Sequence, residues 1–201
     1  MSQSDKIDAF WSWFATNESA IVRAIEGESA SESVVENLDN LILDIGAFYW
    51  EIGPGINKPW CLTISPNENK DLLKISRQIV ETALELDNWE FNYFKPAKDW
   101  DRTFVIYDDL MNEQQVDASS WNYVALTHQD EMVALILEAS NIQHLDKETA
   151  LTAAGLVVLS EIGEEFRINK IAEVTIVSNL DDQYSSKRKG IKYLKNHILD
   201  F

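Results

Sequence analysis

The hydrophobic residues at the start of the chain follow the period of a helix. In and just before the segment "FWSWF" at 10–14, four apolar side chains recur at i, i+3, i+4 and i+7, which places them on one helix face. These are Ile7, Phe10, Trp11 and Phe14. Trp13 lies about 100° around the helix from Phe14. The pattern predicts a first helix whose stripe enters the core, and it leaves Trp13 at the edge as a candidate partner-binding residue.

Three further segments have apolar residues at helical spacing. They are 34–42, 72–84 and 146–163. Ser33 and Asp146 are predicted N-caps, Gly163 is a predicted helix end, and Asn17 predicts a break in the first helix because it resembles a new N-cap. Gly155, inside the last segment, disfavours a helix by about 1 kcal/mol relative to alanine. We therefore expect Gly155 to pack closely against a neighbouring element.

Other segments alternate or are rich in β-branched and aromatic residues, which predicts strands. They are 47–53, 60–65, 89–96, 103–109, 121–127, 131–140 and 164–178. The turn-rich segments 54–59 and "HQD" at 128–130 predict two hairpins. Short turns favour antiparallel pairing, and the intervening helices must then cover one face of the sheet. The predicted fold class is α+β, with predominantly antiparallel sheets, helices on one face, and N- and C-terminal helices, the last over 185–201.

A chain of 201 residues suits one domain or two small ones. No repeat, low-complexity tract or obvious linker interrupts it. We predict a single α+β domain over 1–201. The alternative is a two-half organisation, 1–108 and 120–201, with its seam in "DDLMNEQQVDASS".

The chain is strongly acidic, with 34 Asp and Glu against 17 Lys and Arg and a net charge of −17. Such a surface repels the phosphates of nucleic acids and of anionic membranes, so neither is an expected partner. A basic protein would be attracted, and its association accelerated. The alternative is that the acidity serves only solubility.

The acidity is uneven along the chain. Residues 1–186 carry 12 basic and 33 acidic side chains, net −21, whereas 187–201 carry five basic side chains and one acidic, net +4. Because the opposite charges belong to one molecule, we expect the basic tail to dock onto the acidic body.

Targeting and redox signals favour the cytoplasm. Cys61 is the only cysteine, which excludes an intramolecular disulfide and fits a reducing compartment. The first ten residues lack the pattern of a signal peptide, and no apolar run is long enough to span a membrane.

The sequence offers no cofactor site and no standard catalytic motif. The segment "GPG" at 53–55 lacks the residues of a phosphate-binding loop and is predicted to be a turn. The three histidines are far apart and cannot form a zinc set with one cysteine. Cys61 alternates with apolar neighbours, so a buried, inert thiol is expected, and His128 is expected in a solvated turn.

Carboxylates are the only abundant chemistry. Asp99 and Asp101 flank Trp100, and Asp108 and Asp109 follow the next predicted strand. If these segments are neighbours, the four carboxylates can bind a divalent cation or act as acid and base. The same residues, with Trp100 as an aromatic anchor, are otherwise candidates for partner binding.

The segments "FWSWF", "WEIGPG", "LTIS", "LDNWEFNYFKP" and "LSEIGEEF" together resemble a family of uncharacterised bacterial proteins with an FWxWF-type N-terminus. The resemblance covers most of the chain but consists of apolar and turn residues, so it implies a fold and carries over no functional residue. In composition, the chain also resembles immunity proteins, which neutralise toxins.

The residues therefore favour a non-enzymatic cytoplasmic protein that acts through protein–protein contact, specifically an immunity-like inhibitor of a basic toxin. Two alternatives remain open at this point. One is a small metal-dependent hydrolase that uses the Asp cluster, and the other is a small-molecule-binding module between sheet and helices.

Overall fold

Two hydrophobic cores, formed by different parts of the chain, organise the protein. The structure, a computed structural model, describes residues 1–27, 32–127 and 132–199. It divides into a first unit, Met1–Lys95, and a second unit, Pro96–Phe201. Antiparallel-rich sheets combine with helices, which confirms the α+β class. The boundary at 95/96 precedes the segment 108–120 in which the sequence indicated a seam.

The first unit packs helices onto a three-stranded sheet. Its elements are α1 (Gln3–Ile25), α2 (Glu32–Ile45), β1 (Tyr49–Pro54), β2 (Trp60–Ser65), α3 (Lys70–Glu81) and β3 (Trp89–Asn92). The sheet order is β1-β2-β3. β1 and β2 form the predicted antiparallel hairpin. β3 pairs parallel to β2, and α3 is the crossover that a parallel connection requires.

The start of α1 is capped, but the helix does not break at Asn17. Ser2 and Asp5 form a capping box at its N-terminus. The Asn17 side chain instead donates a hydrogen bond to the carbonyl of Trp13, one turn earlier, at 2.8 Å. α1 runs through Asn17 from Gln3 to Ile25, so the predicted break is wrong. Ser33 is likewise not a cap, because α2 already includes it, and residues 28–31 before it lie outside the described part.

The aromatic stripe of α1 is the centre of the first core, as predicted. Phe10, Trp11 and Phe14 are fully buried. The Phe14 ring packs edge-on against Trp89 of β3 at 4.9 Å between centroids, and the Trp11 indole nitrogen donates to the carbonyl of Ile79 on α3 at 2.8 Å. The segment "FWSWF" thus connects the first helix to both the sheet and α3.

The second unit contains a separate hairpin and a four-stranded sheet. Its elements are β4 (Thr103–Tyr107), β5 (Glu113–Asp117), β6 (Asn122–Thr127), β7 (Val133–Glu138), α4 (Lys147–Ile162), α5 (Glu164–Lys170), β8 (Ile171–Val177), β9 (Lys189–Gly190) and α6 (Leu194–Leu199), with 3₁₀ turns at Ser140–Ile142, Asp182–Lys187 and Ile191–Tyr193. β4 pairs only with β5 in its sheet, and the larger sheet has the order β8-β7-β6-β9. β6 and β7 are antiparallel, and β8 returns parallel to β7 after α4 and α5. The turn that the sequence predicts at 128–130, with its His128, lies outside the described residues.

Three segments of the second unit differ from prediction. The predicted strand over 164–178 begins as α5, because Gly163 ends α4 with a positive φ of 79° and a new helix starts directly after it. The predicted helix over 185–201 is divided by β9, which pairs with β6. The segment 108–120 contains β5, a strand in which Val116 is the only strongly apolar residue.

The basic C-terminal tail is bound to the second unit. Ile191, Leu194 and Ile198 are buried in its core. The guanidinium of Arg188 forms an ion pair with Glu138, a mostly buried carboxylate at the end of β7. The tail therefore docks onto the acidic body as expected, but buried apolar side chains attach it in addition to the Arg188–Glu138 ion pair.

We expect Gly155→Ala to stabilise the protein by about 0.5–1 kcal/mol, because alanine is the better helix former in the middle of α4. The close packing expected from the sequence is wrong, since a Cβ at Gly155 would meet no atom within 4 Å. Urea denaturation measures the change. Gly163→Ala is the matched control and should destabilise, because its φ of 79° disfavours a side chain. A loss of stability in Gly155→Ala would contradict this account.

Candidate interaction site on the β4–β5 hairpin

The hairpin of β4 and β5 has one buried face and one exposed face. Phe104, Ile106 and Val116 point inward and pack in the second core. The opposite face carries three cross-strand pairs. They are Thr103 with Asp117, Val105 with Gln115, and Tyr107 with Glu113. All six of these residues are exposed, and β4 presents Val105 and Tyr107 while β5 presents polar and acidic side chains.

The tip of the hairpin is organised by the carboxylate of Asp108. Its Oδ1 accepts from the backbone N–H of Leu110 at 3.0 Å and of Asn112 at 2.8 Å. Its Oδ2 accepts from the side-chain amides of Asn112 at 3.1 Å and Gln114 at 3.0 Å. The hydrogen bonds from Asn112, with those from Gln114 and Leu110, hold the pKa of Asp108 below its ordinary value. Asp108 is therefore ionised at neutral pH and holds the loop in one conformation.

This loop presents two large apolar side chains to solvent. Leu110 is 82% exposed and Met111 is 75% exposed. Met111 has a positive φ of 63°, a conformation that a non-glycine residue adopts only where the surrounding structure enforces it. The exposed side chains of Leu110 and Met111 form an apolar tip of the hairpin.

The base of the hairpin is also built from carboxylates. Asp101 accepts from the backbone N–H and the hydroxyl of Thr103, at 3.0 and 2.7 Å. Asp117 accepts from the backbone N–H of Ser119 at 2.8 Å. The hydrogen bonds from the backbone and hydroxyl of Thr103 lower the pKa of Asp101, and those from the side chain and then the backbone of Ser119 lower the pKa of Asp117. The charge of Asp101 acts in the opposite direction on the pKa of Asp117. Both carboxylates are ionised at neutral pH.

A groove of about 540 Å³ follows the hairpin, lined by both strands and by Asn141. The Asn141 amide donates to the carbonyl of Asp117 at 2.7 Å, and its oxygen accepts from the Trp121 indole at 2.8 Å. One side of the groove is therefore hydrogen-bonded, through Asn141, to a residue of the second core. Residues 99–117 carry six carboxylates and one cation, Arg102, so the whole surface is negative.

The structure does not bring the four predicted carboxylates together. Asp101 lies before β4, and Asp108 and Asp109 lie after it, so the length of a five-residue strand, about 16 Å, separates the two groups. Asp99 is exposed on the segment before the hairpin. Across the described residues, no group of three or more His, Cys, Asp or Glu is arranged to bind a metal ion. The predicted strand over 103–109 already begins after Asp101 and ends at Asp109, and β4 confirms it, so the four carboxylates lie at opposite ends of one strand.

The two tryptophans that were candidates for partner contact are both attached to a core. The Trp100 indole nitrogen donates to Oε1 of Glu161 on α4 at 3.0 Å, and its ring lies 5.8 Å from that of Phe104. Trp13 is half-buried against the first core. The apolar residues that are exposed at the hairpin, Val105, Tyr107, Leu110 and Met111, did not stand out in the sequence. The only signal was the pair "LM" within the polar stretch 108–120.

The single cysteine behaves as the sequence predicted. Cys61 is buried in β2, and its sulfur accepts from the Asn92 side chain at 3.2 Å. Burial raises the pKa of this thiol. A buried thiol with a raised pKa is a poor nucleophile at neutral pH.

Among the helices of residues 1–27, 32–127 and 132–199, none has the length and apolar composition needed to cross a membrane. No protein-family model matches the chain, and neither a curated protein nor a solved structure does.

Proposed function

We propose that this protein acts through protein–protein contact, and that the outer face and tip of the β4–β5 hairpin bind a basic protein. One observation carries the proposal: an exposed apolar surface, Val105, Tyr107, Leu110 and Met111, is surrounded by ionised carboxylates. Apolar side chains supply the contact area, and the surrounding charges select a cationic partner and accelerate its approach.

The proposed class of partner is a basic toxin, which the protein would neutralise as an immunity protein does. A rigid acidic surface suits this role, because an inhibitor has to associate quickly and keep its shape. Fast association comes from electrostatic steering by the net charge of −17. The proposed location is the cytoplasm, as the single reduced cysteine suggests.

The test is affinity capture from a native lysate with the wild-type chain, followed by calorimetry with the purified captured protein. The double variant Leu110→Ser/Met111→Asn removes the apolar tip, and asparagine tolerates the left-handed conformation at 111. We expect a basic protein to be captured, and this variant to bind it at least about tenfold more weakly. Ile56→Ser is the matched control, because Ile56 is equally exposed but belongs to the first unit.

Charge is tested separately with Asp109→Asn/Glu113→Gln, two exposed carboxylates beside the tip. This variant should associate more slowly, and added salt should slow the wild type in the same way. Because the pKa of Asp101, Asp108 and Asp117 is lowered, their charges persist well below neutral pH, so binding should not change between about pH 7 and 5. An acidic partner, or binding that survives loss of the tip, would refute the proposal.

A further inference from the structure

We propose that a second site, on the first unit, binds an organic cation of the guanidinium type. The site is a pocket of about 320 Å³ between α1 and the starts of β2 and β3. Glu18, Val22, Trp60, Asn88 and Trp89 are among its lining residues. The site is independent of the hairpin, because all of its residues belong to Met1–Lys95.

The indole of Trp60 forms the aromatic side of the pocket, and the buried indole of Trp89 stacks against it. The rings of Trp60 and Trp89 lie 6.2 Å apart at an interplanar angle of 30°. Trp89 is fully buried, and its ring packs edge-on against Phe14. The backbone N–H of Trp60 donates to the carbonyl of Asn88 at 3.0 Å, which joins the two strands at the pocket. Trp60 is half-buried and lines the pocket.

The opposite wall is the outward continuation of the α1 stripe. Phe14, Glu18 and Val22 follow one another at i, i+4 and i+8, and residues with this spacing share a helix face. Phe14 lies in the core beneath Trp89, and Glu18 and Val22 line the pocket one and two turns later. The helix face on which Phe14 packs against Trp89 therefore also places the acidic Glu18 at the pocket.

The chemistry of these groups favours a planar cation. An indole attracts a cation over its ring, and tryptophan does so more strongly than other aromatic residues. A guanidinium can stack on that ring and donate paired hydrogen bonds to a carboxylate. The described lining includes Glu18, which supplies the acidic group, and Asn88, and no Lys or Arg. Glu18 would repel an anion, and a neutral ligand would form no ion pair with Glu18.

The first experiment titrates the protein with Nα-acetylarginine amide and, as a neutral analogue of the same shape, Nα-acetylcitrulline amide. The tryptophan indole N–H signals in ¹H–¹⁵N spectra report binding. We expect the arginine compound to shift the signals of Trp60 and Trp89 with an affinity in the millimolar range, and the citrulline compound to shift neither. Equal shifts from the two compounds, or none from the arginine compound, would overturn the proposal.

The second experiment compares variants. Glu18→Gln should weaken binding of the arginine compound at least about threefold, since it removes the charge and keeps the shape. Asp8→Asn, which removes an exposed carboxylate two turns and more away on the same helix, is the control and should bind normally. Trp60→Phe should also bind more weakly and assigns the Trp60 signal. Normal binding by Glu18→Gln would contradict the site.

A third comparison separates the two sources of such a cation. An arginine-centred tripeptide that binds more tightly than free arginine indicates a protein side chain, whereas tighter binding of free arginine indicates a small molecule, and both results support the site. The hairpin variant Leu110→Ser/Met111→Asn should bind the arginine compound normally. Failure of this site and failure of the hairpin proposal are therefore distinguishable.

Discussion

Phe14→Ala should lower the free energy of unfolding by about 3–5 kcal/mol. Phe14 has no exposed surface, and its ring contacts four other aromatic rings. They are Phe10, Trp11, Trp89 and Phe91. Removing the ring leaves a cavity between α1 and β3 that these large side chains cannot fill without leaving their rotamers. Urea denaturation followed by circular dichroism measures the change.

Trp13→Ala is the comparison within the same "FWSWF" segment. Trp13 is half-buried at the edge of the core, so its removal should lower the free energy of unfolding by only about 1–2 kcal/mol. Phe14→Leu, which keeps most of the volume, should lower it by about 1.5 kcal/mol or less. If the Trp13 and Phe14 alanine variants lost equal stability, the assignment of Phe14 to the core and Trp13 to its edge would be wrong.

Arg102→Met is expected to have the second-largest effect, a loss of about 2–4 kcal/mol in the free energy of unfolding, since it leaves a buried carboxylate without its counter-charge. Glu161 is 5% exposed and Arg102 is 24% exposed. Arg102 Nη2 donates to Oε2 of Glu161 at 3.2 Å, and its Nε lies within ion-pair distance of Oε1, at 2.8 Å. Arg102 has a positive φ of 70°, but methionine meets the same backbone strain, so that contribution cancels.

The double variant Arg102→Met/Glu161→Met distinguishes an ion pair from simple loss of packing. It removes both charges, so it should lose clearly less stability than the two single variants added together. Arg102→Lys keeps the charge without the planar fork and should fall between the wild type and Arg102→Met. If the stability lost by the double variant, measured by thermal or urea unfolding, equalled the sum of the two single losses, Arg102 and Glu161 would have no energetic coupling.

This ion pair also matters for the candidate site. The backbone carbonyl of Arg102 accepts from Ala118 N–H at 2.9 Å and so closes the base of the hairpin. Trp100, two residues earlier, donates to the same Glu161. One buried carboxylate on α4 therefore anchors the segment from which the hairpin begins, through both Arg102 and Trp100, a predicted partner-binding residue.

Features that depend on neighbouring residues in the chain were predictable. The stripe of α1 follows from the helical period, and the β1–β2 hairpin follows from alternation around a turn-rich segment. The limits of α4 follow from Asp146, whose side chain accepts from the first-turn N–H groups, and from Gly163. Each of these signals acts within a few residues, where the sequence alone determines which conformation is favoured.

Features that depend on distant partners were not predictable. β5 has a weak pattern of its own and exists because β4 pairs with it while Val116 joins the core. β9 divides the predicted C-terminal helix because β6 offers it an open edge. A strand needs the backbone groups of another strand, and that partner is not encoded in the local pattern.

The candidate site shows the same division. The sequence contains the carboxylates and the acidic charge, on which the prediction of a basic partner rests. The tertiary structure separates Asp101 from Asp108, buries the indole contacts of Trp100, and turns Leu110 and Met111 outward. Residue types set the charge and the local elements, because these depend on short-range chemistry. Packing between elements far apart in the chain sets which side chains are left exposed for a partner, because burial is a property of the whole unit.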